Sequence, residues 1–111
     1  MNNDLFVVVI DPATHTAEIE CFEAIAHRPG VRDASYHRPA LDGMNSLEET
    51  ATPDAVIILG SGASVYDELP WQRPLNMWAR ATMDAGIPTL GICYGHQMIA
   101  HLFGAPIELL W

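Results

Sequence analysis

A chain of 111 residues, half of them apolar and 17% charged, is long enough for one small domain with its own core and too apolar to be disordered. Five Lys and Arg against 14 Asp and Glu leave a net charge of −9, which argues against nucleic acid and anionic membrane as partners, since both call for clustered basic residues. The longest aliphatic run is too short for a bilayer, and Met1-Asn2-Asn3-Asp4 has no basic leader. Two cysteines 72 positions apart make neither a disulfide framework nor a metal site, so a reducing, cytoplasmic setting is expected.

Leu5-Phe6-Val7-Val8-Val9-Ile10 is a continuous β-branched run ending at Asp11-Pro12. It predicts a strand buried on both faces, as in a parallel sheet. Ile19, Phe22, Ile25 and Ala26 recur at helical spacing, with Thr14 or Thr16 as the expected cap and Pro29-Gly30 as the stop. Val31 to His37 reads as a second strand. Residues 38–53 are polar and turn-rich, with one short helical turn expected around Ser46 to Thr50. Asp54 to Leu59 is a third strand, running into Gly60-Ser61-Gly62-Ala63-Ser64.

A helix follows from Trp71 or Gln72 to Ala85, its apolar face made by Leu75, Trp78, Ala81 and Thr82 or Ala85, and Gly86 closes it. Thr89 to Ile92 is a fourth strand. Tyr94 to Phe103 is a helix with Met98, Ile99, Leu102 and Phe103 on its apolar side and Gly104 at its end, and Pro106 to Trp111 starts a further extended segment. Alternation of this kind predicts an α/β fold, a doubly wound, flavodoxin-like parallel sheet. Ligands of such sheets bind beyond the carboxyl ends of the strands. Asp11 to Thr16, Gly60 to Ser64 and Cys93-Tyr94-Gly95 fall there.

Cys93 stands between a strand and a helix with Gly91 two before it and Gly95 two after it. This is the Gly-x-nucleophile-x-Gly spacing of a nucleophile elbow, with cysteine in the place of serine. The N-terminus of the following helix directs partial positive charge at the sulfur, and the Tyr94 N–H faces any oxyanion formed on attack. The plain alternative is a small buried cysteine at a strand end. Cys21 has no such turn and reads as an ordinary helix residue.

Gly91-Ile92-Cys93-Tyr94-Gly95-His96-Gln97-Met98-Ile99-Ala100, with Phe103-Gly104-Ala105 after it, resembles the signature of the class I, triad-type glutamine amidotransferases. Ile57 to Trp71, "IILGSGASVYDELPW", is similar to the loop of the same family, most of all to the glutaminase domains of GMP synthase and stand-alone relatives. The resemblance runs from about Pro53 to Ala105. It implies that Cys93 attacks the γ-amide of a glutamine substrate, releases ammonia and holds a γ-glutamyl thioester until water cleaves it. It implies an oxyanion hole made by the N–H of Tyr94 and one from Gly60, Ser61 or Gly62, and a substrate contact from Gln97. No cofactor or metal is implied. Ser61 or Gly62 departs from the usual glycine or proline of the loop, which leaves the donating amide open.

A thiol hydrolase needs a base and a group that orients it. The family draws both from a downstream His-x-Glu, and this sequence contains none. His101 lies eight residues along the helix from Cys93, about 12 Å, out of hydrogen-bond range. His96 would have to fold back from the first turn. His15, at the ligand-binding edge, is the more interesting candidate, although a surface helix residue is the plainer reading. His27 and His37 read as surface residues. The expectation is therefore an incomplete sheet, with residues 1–111 as the N-terminal part of a glutaminase domain. Its partners would be the missing C-terminal half or a second copy, together with a synthetase domain or subunit. A γ-glutamyl peptidase or hydrolase, a catalytically inactive binding or regulatory relative, and a thiol redox or deglycase protein are the rival readings.

Overall fold

The computed structural model describes residues 5–104. Four strands, β1 (Leu5–Ile10), β2 (Val31–His37), β3 (Ala55–Ile58) and β4 (Thr89–Gly91), form one parallel sheet in the order β2-β1-β3-β4. The helices are α1 (Ile19–Ala26), single turns α2 (Pro39–Asp42) and α3 (Asn45–Glu48), α4 (Gln72–Asp84) and α5 (Tyr94–Leu102). The fold is the expected flavodoxin-like α/β sheet, with β1 in the middle and each strand within one or two residues of its sequence reading. The polar stretch 38–53 holds two short turns rather than one. The extended segment expected from Pro106 lies outside the described residues.

Alternation along the strands explains why their sequences are apolar throughout. Val8, Ile10, Val56 and Ile58 face one way and are buried with Leu75 and Ala79 of α4 and Tyr94 and Met98 of α5. Val7 and Val9 face the other way, with Phe22 and Ile25 of α1 packed against them. β4 is an edge strand. Leu90, paired with Ile57 in register, is 58% exposed, so among the described residues no helix covers the α1 side of the sheet at this edge. None of the described helices is long and apolar enough to cross a membrane.

Three expectations are corrected. Neither Thr14 nor Thr16 caps α1. Its N-cap is Glu18, which makes no side-chain cap bond, and the Glu18 N–H itself donates to the carboxylate of Asp11, seven positions upstream, at 2.6 Å. The buried face of α4 is Gln72, Leu75 and Ala79, whereas Ala81 is exposed, because the helix lies against Tyr94 as well as the sheet. His37 is not on the surface: it is 5% exposed, with Nε2 2.7 Å from the Ser35 hydroxyl and Nδ1 2.8 Å from the Ser46 hydroxyl. Two serines, one on β2 and one on α3, satisfy both ring nitrogens and make burial tolerable.

Burial holds His37 below its ordinary value of 6.5. The unfolded chain therefore takes up a proton, on falling below about pH 6.5, that the folded chain refuses. Stability from this group is complete above that pH and declines as pH falls toward the folded value. The urea midpoint is expected to drop between about pH 7.5 and about pH 5.5, and His37→Asn is expected to remove that part of the drop. A wild-type midpoint that is flat over this range would contradict the assignment.

Candidate active site

β4 ends at Gly91 and α5 begins at Tyr94, so Ile92 and Cys93 make the whole turn. The Ile92 N–H still donates to the Ile58 carbonyl of β3 at 2.9 Å, and the Gly95 N–H already reaches back to the Ile92 carbonyl at 3.0 Å. Caught between these bonds, Cys93 adopts φ 52° and ψ −110°. A residue with a side chain is strained there, at a cost of about 1–3 kcal/mol. The turn leaves the Cys93 side chain exposed, so the reading of a buried strand-end cysteine does not hold.

The flanking glycines serve close approach rather than unusual backbone angles. A Cβ on Gly91 would stand 2.3 Å from the Gly95 carbonyl carbon, and one on Gly95 would stand 2.2 Å from the Ile58 carbonyl oxygen. Both obstacles are backbone, so no side chain can swing aside. These seams bring α5 directly onto β3 and β4.

The three stretches expected at the ligand-binding edge meet in one cavity of about 460 Å³, lined by residues 13–16 and Glu18, by Gly60, Ser61 and Gly62, and by Cys93. Gly60 is the near neighbour: a Cβ built on it would lie 3.5 Å from Cys93 Cβ. Tyr94 is not part of the cavity wall, although as the first residue of α5 its N–H has no acceptor within the helix. Its side chain turns into the core, where burial raises the phenol above its ordinary value and keeps it neutral.

The cavity wall at residues 13–18 is held from below by Asp11, which is fully buried. Its carboxylate accepts the N–H groups of Ala13 at 3.1 Å and Glu18 at 2.6 Å, and the hydroxyl of Tyr36. Burial, reinforced by this bond to Asp11, raises the Tyr36 phenol well above its ordinary range, so it remains a donor.

Other candidates fall elsewhere. Gln97 is half-buried and absent from the cavity wall, and its N–H donates to the Cys93 carbonyl at 3.0 Å. His96 is exposed. His101 packs edge-on against the Tyr66 ring, centroids 5.0 Å apart, and lines a different cavity. His15 does join Cys93 in the cavity. Sequence reading treated Gln72 as no more than a helix start. It is 3% exposed, and its amide bonds to Tyr94 Oη, to the Ser64 carbonyl and to the Leu69 N–H. Its one signal in the sequence is an amide beside Trp71 at the start of a helix.

The family model described as "Glutamine amidotransferase class-I" matches residues 15–109. The chain belongs to the class-I glutamine amidotransferase family. A GMP synthase [glutamine-hydrolyzing] from Acetivibrio thermocellus is 32% identical over 97% of this chain and 19% of its own length. One from Burkholderia cenocepacia is 43% identical over 50% of this chain and 10% of its own. The chain thus spans about a fifth or less of these relatives. A solved glutamine amido transferase from Methylobacillus flagellatus superposes with a TM-score of 0.55 at 20% identity, over 94% of this chain and 40% of that one, and shares the fold.

The seams of this amidotransferase elbow set a stability test. Gly95→Ala is expected to cost at least about 3 kcal/mol, the upper end of ordinary overpacking, because its obstacle is fixed backbone. Gly62→Ala, where an added Cβ meets nothing within 4 Å, is expected to stay within about 0.5 kcal/mol. Denaturant unfolding of the two variants measures the contrast, and equal costs would contradict the seam.

Proposed function

We propose that the chain is the N-terminal part of a cysteine-dependent glutaminase domain, and that the whole protein passes the ammonia to a synthetase part. The observation that carries this reading is the strained, exposed Cys93 set between the N-terminus of α5 and the Gly60–Gly62 turn, in one cavity. Family membership supplies the reaction class, and the relatives named GMP synthase supply the ammonia acceptor class.

The Cys93 thiol passes its proton to the base, and its sulfur attacks the carbonyl carbon of the glutamine γ-amide, forming a C–S bond while the carbonyl π electrons move to oxygen. The N–H of Tyr94 and one N–H of Gly60, Ser61 or Gly62 receive the oxyanion. Its collapse breaks the C–N bond, and the nitrogen leaves with an added proton as ammonia. Water then attacks the thioester, the C–S bond breaks, and glutamate and the free thiol are restored. Gly91 and Gly95 hold the elbow. Gln97 is assigned to the substrate from the resemblance alone. The resemblance assigns the base and its orienting carboxylate to a His-x-Glu motif, which residues 1–111 do not contain.

In the full-length protein, Cys93→Ala is expected to lower ammonia release from glutamine roughly ten-thousand-fold or more, while calorimetry still detects glutamine binding. Persisting turnover in the variant would overturn the nucleophile. Faster cleavage of γ-glutamyl peptides than of glutamine by wild type would move the reading to a γ-glutamyl hydrolase.

A further inference from the structure

Gln72 carries a task that neither the elbow motif nor the glycine loop describes. It opens α4, yet its side chain is buried. Nε2 donates to the Ser64 carbonyl at 2.7 Å and to Tyr94 Oη at 3.0 Å, and Oε1 accepts the Leu69 N–H at 2.6 Å. Both amide hydrogens and the oxygen are therefore used. Reversing the amide would set its oxygen against the Ser64 carbonyl, so the orientation is fixed.

The partners matter more than the number of bonds. Ser64 stands two residues after Gly62, and the segment from 61 to 69 is tied together locally. Ser61 Oγ accepts the Ala63 N–H, Ser64 Oγ accepts the Tyr66 N–H, and Asp67 accepts the Ser64 N–H at 2.7 Å. Tyr94 is the residue directly after Cys93. One amide thus hydrogen-bonds a loop whose head is Gly60–Gly62 to the first residue of α5. These are the two segments that supply the oxyanion donors in the reading above. Trp71, next to Gln72, packs its ring against that of Tyr94, centroids 5.9 Å apart, and holds the phenol in place.

We propose that Gln72 is a positioning residue, whose bond to the Tyr94 hydroxyl sets the spacing between the Tyr94 N–H and the Gly60–Gly62 amides. The inference rests on the thiol-hydrolase reading and goes beyond it. An oxyanion hole works only when its donors stand at hydrogen-bond distance from the oxygen of the tetrahedral intermediate, and a shift of about 1 Å is costly. Substrate capture and the reactivity of the thiol toward a saturated carbon do not use that spacing. The link therefore affects the two steps that form an oxyanion, acylation and hydrolysis of the thioester.

The test uses the full-length protein with Gln72→Leu, Tyr94→Phe and the double variant. Glutamine turnover is measured beside alkylation of Cys93 by iodoacetamide, a displacement that forms no oxyanion. Each single variant is expected to lose about 10- to 100-fold in kcat, with KM and alkylation rate within about twofold of wild type. The double variant is expected to be no worse than the worse single one, because both remove the same link. Equal losses in turnover and alkylation, or additive losses in the double variant, would overturn the positioning role. Should Gln72→Leu fail to fold, Tyr94→Phe, which removes one oxygen atom, decides alone: undiminished kcat overturns the proposal. Wild-type protein without glutamine turnover overturns the thiol-hydrolase reading and this inference together.

Discussion

The contact on which the site depends is backbone against backbone. Gly95 lies on the Ile58 carbonyl of β3, and Gly91 lies on the first turn of α5, at distances that leave no room for a Cβ. Because α5 comes this close, the strand-to-helix connection has only Ile92 and Cys93 to turn in. The strain collects at Cys93, the one residue of the turn with positive φ. The same closeness puts Tyr94 into the core within reach of Gln72 and leaves the thiol outside. Lifting the helix by the width of a methyl group would undo all three.

The cavity then follows from the sheet order. With β1 flanked by β2 and β3, the chain leaves β1 toward one side and β3 toward the other, and the loops part over the seam between them. One wall is the segment that Asp11 and Tyr36 pin, and the other is the Gly60–Gly62 turn. Cys93, from the neighbouring strand, enters beside Gly60. Buried polar groups hold these loops, Asp11 beneath one wall and Gln72 behind the other, while His37 between two serines ties the end of β2 to α3. Each is hydrogen-bonded, with at least one partner from another element, as burial of a polar group demands.

What the sequence made legible was local. A run such as Leu5–Ile10 announces a strand covered on both faces, and two glycines around a cysteine announce an elbow, because the cause lies within a few residues of the effect. The family resemblance, carried by the same short stretches, agreed with the match over residues 15–109. The convergence of His15, Gly60 and Cys93 was foreseeable only as a shared sheet edge. What stayed hidden depended on distant partners. His37 looked like a surface residue because Ser46 reaches it only through the turn of α2 and α3. Gln72 looked like a helix start because Tyr94 is 22 residues away. Thr14 or Thr16 is the expected cap of α1 because those residues are adjacent, whereas the helix has no side-chain cap and the N–H of Glu18 is taken by the buried carboxylate of Asp11. Gln97, read from its motif, was not brought to the cavity wall.

The central claim is that Cys93 becomes covalently acylated by the γ-carbonyl of glutamine, and trapping that intermediate tests it most directly. Full-length protein mixed with glutamine and quenched in acid within the first turnovers should yield a peptide carrying one glutamyl group on Cys93, labile to hydroxylamine. A Cys93 peptide that stays unmodified while ammonia accumulates would contradict the claim.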